Sequence, residues 1–432
     1  MVELLLAQQM KKTIRNIVKN ALFKDYSITL IFSGVNAVLG FLMFKLVFHE
    51  FGEDGFFRFS ILKRYIGFVL PIVILGLGVS LPKSISKNLQ DDAGHKSFLL
   101  SAMFWSCVLP LVALGIFALI PETISQLFWN AHSEMDVSLS LAFFLYLLSL
   151  VMSAMNYGFY RGKSAFTLAN FIEFINLSLI PIACIFLFSN LVDAMLAVAG
   201  ALLIFNIILF VKIVDFNSFS KPSFRASSKE LLAFGLPRLP GDIAYYFLMA
   251  APAFVALKFY SLELSGIVSF GISLLAITQI ILQPIGVISL SRAVDLIHSE
   301  NKQQLINETW GTLKIMMGIS ILMLVVEIVF VDLFIELYFD KSFLKYTFIF
   351  RYMLLAVPAL TLFYSLRGVL DAFYHKPVMG NIATGASIFF ILSSVVIYFL
   401  GYSITATVIA YVVSLYILGG LCFIYTLKAF KK

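Results

Sequence analysis

From Pro377 to Leu427 the chain runs for 51 residues without one Asp, Glu, Lys or Arg. A helix that crosses a bilayer needs about 20 mostly apolar residues. This stretch therefore holds two crossings, with Gly401-Tyr402-Ser403 as the turn between them. Residues 97–120 and 137–160 are equally free of charge. Of the 432 residues, 61% are hydrophobic and only 13% are charged, and the mean hydropathy is +0.97. Soluble domains carry about 25% charged residues. A chain this apolar cannot cover a soluble surface, so most of it faces lipid or other helices.

Twelve segments meet the length requirement. The first six are roughly 26–48, 65–82, 97–120, 137–160, 167–188 and 191–211. The second six are roughly 235–257, 265–290, 313–334, 348–367, 379–400 and 405–427. The expected fold is an all-α polytopic membrane protein with about twelve transmembrane helices. Lys and Arg concentrate in the N-terminal segment and in alternate loops, which predicts both termini on the cytoplasmic side. That bias accounts for the net charge of +7 without any nucleic-acid partner. Residues 1–24, with Lys11, Lys12, Arg15, Lys19 and Lys24, read as a basic amphipathic segment on the membrane surface. No cleavable signal peptide is expected. Cys107, Cys184 and Cys422 lie in apolar runs without CxxC spacing, and the five His form no ligand pair. Neither a disulfide frame, a metal site nor a cofactor follows from them.

The two halves repeat. Glu53-Asp54-Gly55-Phe56-Phe57-Arg58-Phe59-Ser60-Ile61 and Glu263-Leu264-Ser265-Gly266-Ile267-Val268-Ser269-Phe270-Gly271-Ile272 share Gly, Phe and Ile at an offset of 211 residues. Span four ends in Arg161-Gly162 and span ten in Arg367-Gly368, an offset of 206 residues. The expected units are a bundle over 25–212, a linker over 213–234 and a second bundle over 235–432. Six spans is an even number, so the two bundles keep one orientation and relate by a pseudo-two-fold axis along the membrane normal. Two bundles of this kind enclose a cavity at their interface, which is transporter architecture.

Span two ends Gly76-Leu77-Gly78-Val79-Ser80-Leu81-Pro82-Lys83, and span four ends Arg161-Gly162-Lys163. The second half opens Phe234-Gly235-Leu236-Pro237-Arg238-Leu239-Pro240-Gly241-Asp242. With the basic N-terminus and the Gly-aromatic start of span two, these resemble the polysaccharide-biosynthesis branch of the multidrug/oligosaccharidyl-lipid/polysaccharide (MOP) flippase superfamily. Within it, the resemblance is to the Wzx-type O-antigen flippases, and it extends over essentially the whole chain. It implies a substrate of undecaprenyl-pyrophosphate-linked oligosaccharide, moved by alternating access across a bacterial inner membrane. It also implies no catalysis and work alongside a polysaccharide polymerase and a chain-length regulator. The sequence leaves coupling open between H+, Na+ and downstream polymerisation alone, and a monomer with its own cavity is the default expectation. A cation-coupled drug or small-solute antiporter is the second reading. It would want an acidic cavity. A membrane-embedded polymerase or ligase is the third, and it would want a large outer loop.

Charged groups inside spans are costly and point to function. Arg238 and Asp242, four apart, are expected to share a face of span seven and to pair. They would line the cavity or form a structural ion pair. Tyr245 follows them and can stack on a sugar. Arg351 in span ten, Lys45 near the outer end of span one, and Lys63 and Arg64 at the outer start of span two are candidate substrate contacts. Each could instead snorkel to the interface. Arg161 and Arg367 close spans four and ten, as inside-positive anchors or as a gate that meets pyrophosphate. Asn170, Glu173 and Asn176 are three apart and predict one inward polar face on span five. Glu173 is the first candidate for ion coupling and Glu327 in span nine the second. Helix–helix hydrogen bonding is the plain alternative.

Overall fold

The computed structural model describes residues 21–87, 92–129, 133–214, 221–299, 301–339, 341–374 and 378–431. The basic segment 1–24 lies almost wholly outside them. Ten long apolar helices are present among the described residues. The first, Ile28–Val73, is two crossings. Gly52 interrupts it in a left-handed conformation, φ 70° and ψ −168°, which glycine adopts at little cost. The rings of Phe44 and Phe59 are 5.5 Å apart. Fifteen residues along a straight helix would separate them by roughly 22 Å, so the chain folds back at Gly52. Leu262–His298 adds a further crossing, and the total is twelve.

Span one is 21–51, and span two is 53–73 continued by Leu77–Lys87. Spans three, four and six are Asp92–Leu119, Glu134–Gly162 and Leu191–Ile213. Span five is Phe166–Leu187 with a π-helical turn at Ile175–Leu179. Span seven is Leu239–Phe259, span eight Leu262–His298 and span nine Lys302–Tyr338. Span ten joins Thr347–Leu354 to Val357–Phe373. Spans eleven and twelve are Val378–Phe399 and Ile404–Lys431.

The sequence placed the start of span two at residue 65, whereas the helix begins at residue 53. Its first turns are charged and do not read as membrane. Spans eight and nine are each 37 residues long, about 55 Å of helix against a hydrocarbon layer of about 30 Å. Their polar ends, 291–298 and 302–312, lie outside the spans that the sequence predicts. Arg292 and Glu308 join them through two hydrogen bonds of 2.8 Å.

Both halves pack by the same plan. Span four packs on span six as span ten packs on span twelve. Span five lies against span one as span eleven lies against span seven. The even number of crossings puts residues 21 and 431 on one side, called the terminal side below. The lobes meet through spans one and two against spans seven and eight.

On the far side this interface is filled with aromatic rings. Phe44 lies 5.3 Å from Phe270, Phe48 lies 5.1 Å from Phe343, and Phe56 lies 4.9 Å from Phe339. Edge-to-face aromatic pairs are worth about 0.5–1.5 kcal/mol each beyond their burial. Gly266 lets span eight touch Phe57, because a Cβ there would sit 2.7 Å from Phe57 Cα. Toward the terminal side one face of span one is bare. Leu30, Ile31, Val35 and Val38 are exposed and border a hollow of about 470 Å3.

Two backbone breaks meet at the terminal end of the interface. Span two breaks at Leu75 and Gly76, whose φ values are 57° and 71°. The helix Lys221–Gly235 gives way there to the 3-10 turn Leu236–Arg238. A Cβ on Gly76 would lie 2.6 Å from Gly235 O, so glycine is required for this approach. Lys87 and Ser84 bind Glu230 at 2.9 and 3.0 Å alongside.

Candidate functional site

A polar column rises through the second lobe between spans seven and ten. Span seven carries Asp242 and Tyr245, seven residues and two turns from Arg238 to Tyr245. Span ten carries Tyr364, Arg367 and Asp371 at the matching level. The hydroxyls of Tyr245 and Tyr364 hydrogen-bond each other. The Tyr245 ring stacks on Phe363 at 5.1 Å. Arg367 Nε is 3.6 Å from Asp371 Oδ2, and it also acts electrostatically on Asp242 and on both tyrosines.

The expected Arg238–Asp242 pair is not formed. Arg238 belongs to the 3-10 turn before the α-helix, so the four-residue spacing does not put both on one helical face. Its guanidinium lies 4.1 Å over the ring of Phe234. Asp242 instead feels Arg367 first and Arg238 second.

Lys63 and Arg64 are not at the start of span two. They lie about three turns inside it, at the lobe interface. Arg64 donates to Ser273 Oγ of span eight, and its Nε is buried without a partner. Tyr411 of span twelve is within its electrostatic reach. The Lys63 ammonium lies 5.1 Å from the Phe44 ring and 5.5 Å from that of Phe59. Among the described residues neither cation has a carboxylate partner. Isolated charges away from water are costly, so an anion arriving between the lobes is favoured.

Arg351 stands apart from this interface path, and Lys45 bridges the two lobes at its exposed far-side rim. Lys45 is exposed and donates to Leu337 O at 3.0 Å, capping the carbonyl end of span nine, where a cation is favoured. Arg351 is exposed and pairs with Asp332 of span nine at 2.5 Å.

In the first lobe the predicted face of Asn170, Glu173 and Asn176 is divided. Asn170 donates to Thr29 of span one at 2.9 Å. Asn176 accepts from Asn206 at 2.6 Å, and Asn156 donates to Asn206 Oδ1 at 3.2 Å. This ladder ties spans four, five and six. The π turn that begins at Ile175 adds a residue to the helical repeat and rotates Asn176 away from Glu173. Glu173 is instead within electrostatic reach of Arg161, whose guanidinium lies 5.9 Å from the Tyr157 ring. Asn156 and Asn206 carry no spacing signal in the sequence that reveals this ladder.

Two cavities complete the second lobe. An open apolar groove of about 830 Å3 runs between spans seven and eleven, lined by Leu239, Ile243, Phe247, Ile388, Ile391 and Leu392. Its terminal end closes where Gly241 meets Gly380, with a Cβ on Gly241 only 3.2 Å from Gly380 Cα. A smaller cavity of about 190 Å3 lies among spans eight, nine and ten and contains Glu327. No group of His, Cys, Asp and Glu suited to a metal ion occurs among the described residues.

The sequence pattern described as polysaccharide biosynthesis protein matches residues 22–291, which is 270 of the 432 residues. The chain belongs to the polysaccharide biosynthesis protein family. It is a multi-pass membrane protein with a MOP-superfamily fold. A MOP superfamily transporter from Pyrococcus furiosus, described by the reverse polarity of its binding pocket, has 13% identity and a TM-score of 0.68. The match covers 94% of this chain and 96% of that one. An inward-facing multidrug resistance MATE transporter has 14% identity and a TM-score of 0.73, covering 92% and 94% of the two chains. An outward-facing multidrug resistance MATE transporter has 13% identity and a TM-score of 0.65, covering 93% and 95%. No curated protein matches the sequence. At such identities these neighbours speak for the fold that this family member adopts, with two six-span lobes about one interface.

Proposed function

We propose that the chain is a flippase that moves undecaprenyl-pyrophosphate-linked oligosaccharide, an O-antigen repeat unit or a similar precursor, from the cytoplasmic to the outer leaflet of a bacterial inner membrane. The terminal side is then cytoplasmic. The observation that carries this reading is the pair Lys63 and Arg64, cationic at the lobe interface and without acidic partners among the described residues. The head group brings about two negative charges and many hydroxyls, which bare hydrocarbon would leave unpaired. Lys63 and Arg64 meet the pyrophosphate, with Arg64 the bidentate donor. Arg367 and Arg238 meet it nearer the cytoplasm, and Tyr245 offers a ring to the sugars. The prenyl tail stays in lipid. No bond is made or broken in this step.

The two ends of the interface support alternating access. Aromatic rings seal the outer end, whereas one face of span one is exposed toward the cytoplasm. Asp242 and Asp371 would suit a cationic drug, but Arg367 lies between them, which disfavours an antiporter of cations.

Deletion of the gene in its host tests the assignment. The expected result is accumulation of complete lipid-linked repeat units facing the cytoplasm, with loss of surface polysaccharide. Single repeats reaching the outer leaflet unpolymerised would assign the protein to polymerisation or ligation instead.

A further inference from the structure

Glu327 is the least explained charge in the second lobe. It lies about two-thirds of the way along span nine, eleven residues or about 16 Å before Tyr338. Its Oε2 is buried and has no hydrogen-bond partner. The walls of its cavity are Leu274 and Ile277 of span eight, Val326, Phe330, Val331 and Phe334 of span nine, and Leu354 of span ten. None of these can neutralise a carboxylate. The neighbouring charges are all engaged elsewhere. Asp332 is paired with Arg351, Glu336 with Lys341, and Glu263 with Lys345 and Tyr346. Lys45 of span one is bound to Leu337 O. No charged group among the described residues acts on Glu327.

The cavity is also joined to the outer seal. Glu327, Val331, Phe334 and Tyr338 recur at helical spacing on one face of span nine. The Phe334 ring forms part of the cavity wall, packs 6.4 Å from Phe41 of span one, and stacks against Phe270 of span eight. The same ring therefore belongs to the chamber around Glu327 and to the aromatic contact between lobes.

We propose that Glu327 is a proton-binding latch for the aromatic seal: closing the far side of the lobe interface takes up one proton on its carboxyl, and opening that side releases it. With the seal closed, an ionised carboxylate in this hydrocarbon chamber would have neither water nor a counter-charge, so the carboxylic acid is the stable form. When span one parts from Phe334, water reaches the chamber and the carboxylate becomes stable. The proton comes from water on the far side and forms one O–H bond, with no other reactant. A metal cation is disfavoured as the ligand, because it would need several oxygen donors and the chamber supplies one carboxylate. Acid thus favours the closed seal and alkali the open one. The place of this step in a transport cycle rests on the alternating-access reading above, but the conformational claim does not.

The test is a distance measurement on the full chain in lipid nanodiscs. Cys107, Cys184 and Cys422 are replaced by Ala, and spin labels are placed at the exposed far-side positions Glu134 and Lys341, one on each lobe. Between pH 5 and pH 9 the ratio of long to short distances is expected to rise, by up to about tenfold per pH unit for one proton. Glu327→Gln should hold the short distance at every pH, and Glu327→Asp should restore the response. A wild-type distribution that ignores pH, or a Glu327→Gln protein that responds as wild type does, overturns the latch. An intact response together with normal surface polysaccharide in the deletion strain would sink the flippase reading and leave the latch standing.

Discussion

The polar groups of the two lobes are managed in opposite ways. Spans four, five and six are tied by Asn156, Asn206 and Asn176, neutral amides that answer one another at 2.6–3.2 Å. Spans seven and ten instead hold Asp242, Arg367 and Asp371, where the nearest ion pair is a loose 3.6 Å. A paired amide ladder in a dry interior makes a stiff unit, because any shift leaves buried groups unsatisfied. A column of incompletely paired charges has more than one acceptable arrangement and responds to an arriving anion. The first lobe is built as a frame and the second as the responsive part. Lys63 and Arg64 sit on the seam between them.

Substitutions can break or sharpen this contrast. The largest effect is expected at Arg64. Arg64→Ala should lower translocation by about 10- to 100-fold, the worth of one or two charged hydrogen bonds, at unchanged protein level. Arg64→Lys should recover only part, because the ammonium is not bidentate. Both are measured as the fraction of lipid-linked oligosaccharide reaching the outer leaflet. Asn206→Leu should act on the frame. Stranding Asn156 and Asn176 costs about 1–3 kcal/mol, visible as a lower Tm of the purified protein, while transport per folded molecule stays near wild type. A transport defect without a stability loss there would erase the division between lobes.

Arg238→Ala should impair translocation several-fold while membrane insertion is retained. Normal surface polysaccharide at normal protein level would remove Arg238 from the path, and full activity of Arg238→Lys would show that charge suffices without bidentate geometry. The smallest effect is expected at the exposed Arg351–Asp332 pair. Arg351→Ala should change stability by less than about 1 kcal/mol and leave transport unaltered. Loss of transport would return Arg351 to the path.

Much of the frame was legible in the sequence. Charge-free runs such as Pro377 to Leu427 announce their crossings, and the Arg161-Gly162 and Arg367-Gly368 repeats announce two like halves. The site was less legible, for three physical reasons. The charged start of span two at Glu53 does not look like membrane, so the sequence pattern puts Lys63 and Arg64 at its edge. The 3-10 turn at Leu236–Arg238 and the π turn at Ile175–Leu179 each shift the helical register. That shift separates Arg238 from Asp242 and Asn176 from Glu173, although both spacings suggest a shared face. Lys45 and Arg351 found partners on span nine, distant in sequence, which spacing cannot reveal.

The central claim is that an anionic lipid-linked head group crosses between the lobes past Arg64. Purified protein reconstituted into vesicles with a radiolabelled undecaprenyl-pyrophosphate oligosaccharide tests it most directly, read by the share of label reached by an added glycosidase. The account predicts that wild type makes both leaflets' label accessible and that Arg64→Ala leaves about half protected, as in protein-free vesicles. Equal protection with and without the wild-type protein would contradict it.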